Sequence, residues 1–202
     1  MFPAFRVSRA KRRTVVLAAA VCTGVILAVV LVAGWAGGGT SNVTDVDGSN
    51  SAVLYTAGHR PVAPDFTGTT LTGSRLSFSS YRDKVVVLNF WGSWCVPCRE
   101  EATTLASVAA LYRSSGVAFL GVDVRDTTAS AEAFARSFGV TYPSVSDPSS
   151  VITLDFTSVV PIAGTPTTLV IDPSGHIAGA VFGPVTYPEL TTILTKVTGK
   201  AG

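Results

Sequence analysis

The feature that most constrains this chain of 202 residues is an apolar run without a charged side chain over residues 14–36. A helix of these 23 residues would be about 35 Å long, enough to cross the hydrocarbon core of a bilayer. Because positive flanks stay in the cytoplasm, the sequence predicts a single-pass signal-anchor with residues 1–13 as a cytoplasmic basic tail and everything after Gly37 outside the cell membrane. The basic residues before the run are Arg6, Arg9, Lys11, Arg12 and Arg13.

A cleaved signal peptide is the alternative for this segment. Gly34-Trp35-Ala36 offers a small-x-small cleavage site, although the run is longer than the 7–15 apolar residues usual in such peptides.

The chain after the basic tail carries 10 basic and 13 acidic residues and no basic cluster. This charge distribution argues against nucleic acid as a partner.

The rest of the chain divides into a linker and one domain. Residues 37–60 are rich in Gly, Ser, Thr and Asn and lack helical periodicity, which predicts a flexible linker. Residues 61–200 are long enough for one domain with a sizeable core.

The predicted elements of that domain alternate between strands and helices. A hairpin around Gly73-Ser74 precedes a continuous apolar strand over residues 85–91, and a helix beginning near Pro97 follows, with Leu105, Val108, Ala109, Leu111 and Tyr112 on its apolar side. The order β-α-β-α-β-β-α predicts an α/β domain with a mixed central sheet flanked by helices. The later elements are predicted at residues 117–124, 127–139, 143–145, 151–156, 167–172, 176–182 and 187–197.

The sequence Trp94-Cys95-Val96-Pro97-Cys98 lies where the apolar strand gives way to the helix. Two cysteines on the first helical turn can close a small disulfide ring, so they can be switched between dithiol and disulfide. Backbone N–H groups at the helix N-terminus favour a thiolate on Cys95, which is expected to be the more exposed cysteine. The pattern predicts Cys95 as nucleophile and Cys98 as resolving thiol, with no cofactor besides this redox-active pair.

Structural zinc is the alternative for a Cys-x-x-Cys pair. Such a site needs four ligands, and the sequence offers only His59 and His176, far apart, beside the pair. The third cysteine, Cys22, lies in the middle of the apolar run. We therefore predict no metal site.

Two separated segments carry a family resemblance. NFWGSWCVPCREE (residues 89–101) and GTPTTLVIDPSG (residues 164–175) together resemble the thioredoxin superfamily, specifically the membrane-tethered TlpA/ResA-like thiol-disulfide oxidoreductases. The likeness covers residues 63–197 and implies a thioredoxin-like fold. Pro166 matches the family's cis-proline, and Thr165 is the preceding residue whose backbone pairs with a bound substrate. Trp94 and Pro97 border the reactive thiol. Together with Thr165 and Pro166, they are assigned to substrate binding.

The resemblance also gives Glu101 a role. Thioredoxins proper carry a buried Asp where this chain has Asn89, and an amide cannot accept a proton as a carboxylate does. Glu101 follows Cys98 by three residues on the same helix and matches the Glu of TlpA/ResA-like proteins, so it is the candidate proton acceptor. The alternative is that Glu100 and Glu101 are first-turn acids favoured by the helix dipole.

The implied function is that of an extracytoplasmic reductant of protein disulfides. Family members often keep the haem-attachment cysteines of apocytochrome c reduced, and an integral membrane electron donor recharges them. Three alternatives stay open: an oxidant of exported proteins, a tethered thiol-binding chaperone, and a peroxidase. The peroxidase is disfavoured because Leu88 and Gly92 stand where a peroxiredoxin has Pro and Thr.

Overall fold

We describe residues 43–46 and 51–199 of a computed structural model of the chain. The predicted basic tail and membrane segment, residues 1–13 and 14–36, lie outside this range. Among the residues described, no helix combines the length and the apolar character needed to span a bilayer.

Within residues 43–46 and 51–199, a mixed sheet of seven strands forms the centre of the domain. Its order is β1-β2-β9-β8-β5-β6-β7, and a separate hairpin pairs β3 with β4. β5, β6 and β7 run parallel, whereas β8 is antiparallel to both β5 and β9. This arrangement confirms the predicted mixed sheet. The strands are β1 (Val43–Asp45), β2 (Ala52–Tyr55), β3 (Thr67–Thr69), β4 (Arg75–Ser77), β5 (Val85–Trp91), β6 (Val117–Val124), β7 (Ser144–Asp147), β8 (Thr167–Ile171) and β9 (Ile177–Phe182).

The central strand β5 is buried at all seven positions. Val, Leu and Phe suit a strand that is covered on both faces, and the parallel partner β6 and the antiparallel partner β8 satisfy the backbone hydrogen bonds of β5. One polar side chain, Asn89, interrupts the apolar sequence of this strand and is also buried. The predicted strand over residues 85–91 is confirmed.

In the described part of the chain, four helices cover the sheet: α1 (Val96–Leu111), α2 (Thr128–Phe138), α3 (Val151–Thr157) and α4 (Tyr187–Thr198). Thr127 caps α2 by accepting a hydrogen bond from the Ser130 N–H, and the helix ends at Gly139 with a φ of 66°, which glycine adopts without strain. A capping box of Thr186 and Glu189 begins α4. Leu111 is 46% exposed, unlike the rest of its predicted apolar side, because it lies off the 105-108-112 line that faces the sheet.

The two faces of the sheet bury separate apolar cores. One core joins β5 to α1 and α4 and includes Val87, Leu105 and Ile193. The other lies on the opposite face against α3 and the β3–β4 hairpin. Alternate residues of β5 point to opposite faces, so this single strand contributes to both cores.

The prediction that residues 37–60 form a flexible linker is wrong for part of this segment. β1 and β2 fall within residues 37–60 but pair with each other, and β2 also pairs with β9. The segment 52–55 (AVLY) is apolar, and Ala52 and Val53 are buried. β8 occupies one edge of β9, so the other edge would be unpaired without β2 and provides its hydrogen-bonding partner.

The aromatic side chain of Phe156 generates a stability prediction. Phe156 is fully buried and packs edge-on against Phe66 and Phe90, with ring centroids 6.0 and 5.3 Å away. We expect Phe156→Ala to lower the free energy of unfolding by about 3–5 kcal/mol, because it leaves a cavity in the core. Leu154→Ala, on the same helix but 63% exposed, should cost no more than about 0.5 kcal/mol. Urea unfolding of both variants checks this, and equal losses would contradict it.

Candidate functional site

The two predicted cysteines form a disulfide at the start of α1. Their Cα atoms are 5.3 Å apart, and Cys95 is the N-cap residue of the helix. The Cys95 sulfur accepts a hydrogen bond from the Cys98 backbone N–H at 3.2 Å. The same N–H is available to a thiolate on Cys95 in the reduced protein, which favours the charged form of this sulfur. Cys95 and Cys98 are 3% and 1% exposed, so the expected difference in exposure is small in the disulfide form.

An apolar rim surrounds the buried disulfide. Trp94 is 50% exposed and Val96 is 67% exposed, while Pro97 is half-buried. These side chains flank Cys95 in the sequence and are exposed to a partner that approaches it. Exposed large apolar groups beside a reactive centre provide contact area for another polypeptide.

The Trp94 indole is fixed by the loop that follows β6. Its Nε1–H donates to the Val124 carbonyl oxygen at 3.0 Å, and the Arg125 guanidinium lies 5.7 Å from the ring centroid. Gly92 is needed here because a Cβ at this position would lie 2.6 Å from Trp94 Nε1. Arg125 has a φ of 49°, in the left-handed region that a non-glycine residue adopts only when its surroundings require it.

Glu101 lies buried on the same side of α1 as Cys98, and it is only 1% exposed. Its Oε1 accepts a hydrogen bond from Asn89 Nδ2 at 2.7 Å, and its Oε2 accepts one from the Val185 backbone N–H at 2.8 Å. Asn89 also donates to Thr168 Oγ1 at 3.0 Å, which fixes the orientation of its amide. Glu101 is therefore part of a buried network and not a solvated first-turn acid.

Burial raises the pKa of Glu101 to about 7, against the lowering effect of the hydrogen bonds from Val185 and Asn89. Burial together with the nearby charge of Glu101 also raises the pKa of Tyr142. A carboxyl group that titrates near neutral pH can both take and return a proton, which is the property a proton acceptor needs.

A small cavity of about 10 Å³ lies between this acid and Cys98. Cys98 and Glu101 both line it, together with Tyr142. A space of this size holds roughly one water molecule. The cavity brings the resolving cysteine and the carboxyl group to one small space.

The peptide bond between Thr165 and Pro166 is cis, which confirms the prediction from the family resemblance. Thr167 pairs with Phe90, so the strand register places Pro166 beside the end of β5, where the chain turns toward Cys95. Thr165 is half-buried. Both predicted substrate-binding residues therefore lie at the sheet edge that carries the cysteines.

The structure brings the predicted residues together at one edge of the sheet and adds others that the sequence does not indicate. The sequence marks Asn89 only as lacking the chemistry of an acid, whereas in the structure its amide orients Glu101. Asp126 accepts a hydrogen bond from the Ser93 N–H, within the loop before Cys95. A single acid in the apolar strand 117–124, Asp123, was the signal in the sequence that could have drawn attention to this neighbourhood.

Comparison with known proteins agrees with this site. The sequence profile of the AhpC/TSA family matches residues 60–180. The chain is 37% identical to the thiol-disulfide oxidoreductase ResA of Geobacillus kaustophilus (strain HTA426) over 135 residues, which is 67% of this chain and 75% of that protein.

Solved structures show the same architecture. A secreted thiol-disulfide isomerase from Corynebacterium glutamicum is similar with a TM-score of 0.69 and 30% identity, covering 81% of this chain and 100% of that one. A DsbF homologue from Corynebacterium diphtheriae is similar with a TM-score of 0.64 and 32% identity, covering 76% of this chain and 97% of that one. The fold is thus thioredoxin-like, as the resemblance implied.

The raised pKa of Glu101 generates a pH prediction for the disulfide form, in which Cys95 and Cys98 do not titrate. The folded protein retains this proton up to about pH 7, whereas the unfolded chain loses it near 4.5. The stabilisation from the protonated form is therefore complete below about pH 4.5 and is lost as the pH rises through 7. The free energy of unfolding therefore declines between about pH 4.5 and pH 7, and Glu101→Gln should reduce this decline by up to about 3 kcal/mol. Denaturant unfolding from pH 4 to 8 measures it, and the exposed neighbour provides the control: Glu100→Gln should leave the decline unchanged.

Proposed function

The chain belongs to the AhpC/TSA family and is a thiol-disulfide oxidoreductase, and from that premise we propose that it reduces protein disulfides outside the cytoplasmic membrane. The observation that carries the proposal is the Cys95–Cys98 disulfide at the N-terminus of α1, with the Glu101 carboxyl in the cavity that Cys98 also lines. The cysteine pair stores two electrons, and the carboxyl supplies a place for the proton that must move with them.

The reaction begins with the dithiol form. The Cys95 thiolate attacks one sulfur of a substrate disulfide, forms a mixed disulfide and releases the first substrate thiolate. The Cys98 thiolate then attacks the Cys95 sulfur, which closes the 95–98 disulfide and releases the second substrate thiolate. The substrate gains two electrons and the cysteine pair loses two.

Glu101 serves the second step in this proposal. Cys98 is buried, so its proton has no direct route to bulk water. With a pKa raised to about 7, Glu101 can accept that proton as Cys98 becomes a thiolate. Asn89 and the Val185 N–H orient the carboxyl group for this transfer.

Substrate binding is assigned to the edge that carries the cysteines. The rim residues Trp94 and Pro97 contact the side chains of the incoming polypeptide. Thr165 offers its backbone for strand-like pairing, which is independent of the substrate's sequence. This combination suits a protein substrate in extended form.

Location outside the membrane rests on the uncharged run and its basic flank, residues 14–36 and 1–13. The similar protein from Corynebacterium glutamicum is described as secreted, which supports the same side of the membrane. We propose apocytochrome c as a substrate, through the likeness to ResA. An integral membrane electron donor would then be needed to return the cysteines to the dithiol form, since no glutathione pool reduces thiols there.

An oxidant of exported proteins is the second candidate. The similarity to a thiol-disulfide isomerase favours it, because an isomerase works among proteins that are acquiring disulfides. The peroxidase alternative has a structural obstacle: the threonine that a peroxiredoxin carries at position 92 would place a Cβ within 2.6 Å of Trp94 Nε1.

The two-step mechanism predicts that Cys98→Ala traps the mixed disulfide. With an oxidised Cys-x-x-Cys-His peptide as substrate, we expect a covalent adduct through Cys95 and a fall in turnover of at least about 100-fold, because the neighbouring thiol no longer attacks intramolecularly. Non-reducing gels and mass spectrometry detect the adduct. Cys22→Ala also removes one thiol and should form no adduct. An unchanged turnover in Cys98→Ala would support a thiol-binding adaptor instead.

The direction of electron flow is tested by the reduction potential of the Cys95/Cys98 pair. We expect the full-length chain, equilibrated in dithiothreitol buffers, to give a value near the roughly −270 mV of thioredoxin. A value near about −120 mV would contradict the reductant and favour the oxidant. The Cys22→Ala background keeps the third thiol out of this measurement.

A further inference from the structure

The loop before Cys95 is attached to the loop after β6 by the Asp126 carboxylate. Asp126 Oδ2 accepts a hydrogen bond from the Ser93 backbone N–H at 2.6 Å, and Oδ1 accepts one from the Thr127 N–H at 2.7 Å. Both oxygens of Asp126 therefore act as acceptors. Because Trp94 also donates to the Val124 carbonyl, the position of residues 93 and 94 depends on this neighbouring loop.

Asp123, the penultimate residue of β6, is in an unusual environment. It is fully buried, and among the described residues no group donates a hydrogen bond to either of its carboxyl oxygens. An ionised carboxylate without a donor would be very costly at this position. Asp126, three residues further along the chain, is the neighbouring acid whose charge and hydrogen bonding raise the pKa of Asp123.

We propose that Asp123 is a neutral carboxylic acid that donates its proton to Asp126 and thereby positions the Ser93–Trp94 loop for the reaction of Cys95. The proton is assigned to Asp123 because the two Asp126 oxygens already accept from backbone N–H groups. Asp123 does not touch the reacting sulfur atoms in this arrangement. It is a positioning residue, and this role rests on the proposed function of the cysteine pair.

The charges around Asp123 favour its protonated form. Burial is the main cause that raises the pKa of Asp123 to about 7, followed by the charge of Asp126, the hydrogen bond to it and the charge of Asp147. Asp147, at the end of β7, is already bonded to the Ile152 and Thr153 N–H groups. The cation of this loop, Arg125, lies over the Trp94 ring.

Deprotonation of Asp123 has a defined consequence. Its proton passes to solvent, and two carboxylates then face each other without a shared hydrogen. The Asp126 side chain is repelled, and its bond to the Ser93 N–H weakens. The loop before Cys95 is therefore firmly attached below about pH 7 and loosened above it.

Two backbone amides report separately on the two buried acids. Ser93 N–H bonds to Asp126, whereas Val185 N–H bonds to Glu101. The test is an NMR pH titration of the ¹⁵N-labelled full-length chain with Cys22→Ala in detergent, in its disulfide form so that neither Cys95 nor Cys98 titrates. We expect both amide signals to shift with midpoints near pH 7 in the unsubstituted protein. Asp123→Asn should abolish the Ser93 titration and retain that of Val185, and Glu101→Gln should do the reverse.

Amide exchange and turnover give the size of the effect. At pH 8 the exchange protection of Ser93 should be roughly two- to tenfold greater in Asp123→Asn than in the unsubstituted protein, because one hydrogen bond is retained. The turnover rate of the unsubstituted protein divided by that of Asp123→Asn should be lower at pH 8 than at pH 6, by a similar factor. Asp155→Asn removes one exposed negative charge from α3 and should leave this ratio constant.

A Ser93 titration that persists in Asp123→Asn, or disappears in Glu101→Gln, would overturn the proposal. If Asp123→Asn does not fold, Asp126→Asn replaces it. Loss of the neighbouring charge should then lower the midpoint of Asp123 by about one pH unit, as seen at the Ser93 amide, and an unchanged midpoint would overturn the proposal. None of these NMR results depends on the direction of electron flow, so the proposed function can fail while this inference holds.

Discussion

The burial of β5 on both faces is the constraint on which the rest of the structure depends. A strand covered on both faces and hydrogen-bonded on both edges is fixed in position. The position of its last residue, Trp91, therefore sets the point in space from which the loop to Cys95 starts. Within four residues the chain reaches Cys95 and the N-terminus of α1. The two sulfur atoms thus lie at a rigid sheet edge, which also receives the cis-proline segment before β8.

The same burial explains why acids near this edge behave unlike surface acids. Glu101 and Asp123 are each excluded from water, and desolvation is the main cause that raises the pKa of each to about 7. Their hydrogen bonding differs. Glu101 receives two donors and shares a cavity with Cys98, whereas Asp123 receives none and faces another carboxyl group. One acid is suited to exchange a proton during the reaction, and the other to keep its proton and hold a loop.

Most of the fold could be predicted from local patterns. The strand over residues 85–91, the caps at Thr127 and Gly139, and the hairpin of β8 and β9 follow from apolar runs and turn residues, since these signals are local in the sequence. The strands β1 and β2 could not be predicted in this way. They are short: β2 is stabilised by pairing with β9, more than 120 residues later, and β1 by pairing with β2 in turn.

The sequence by itself determined the reactive pair, its place between a strand and a helix, and the identity of Pro166, because each depends on residue type and spacing. Only the tertiary structure decided what surrounds the pair. The Val185 N–H reaches Glu101 across 84 residues, and Asp126 reaches Ser93 across 33. No periodicity records such contacts, since they arise when separate loops meet at one edge of the sheet. The physical reason is that a hydrogen bond and the desolvation of an acid depend on distance in space, which the order of residues does not specify.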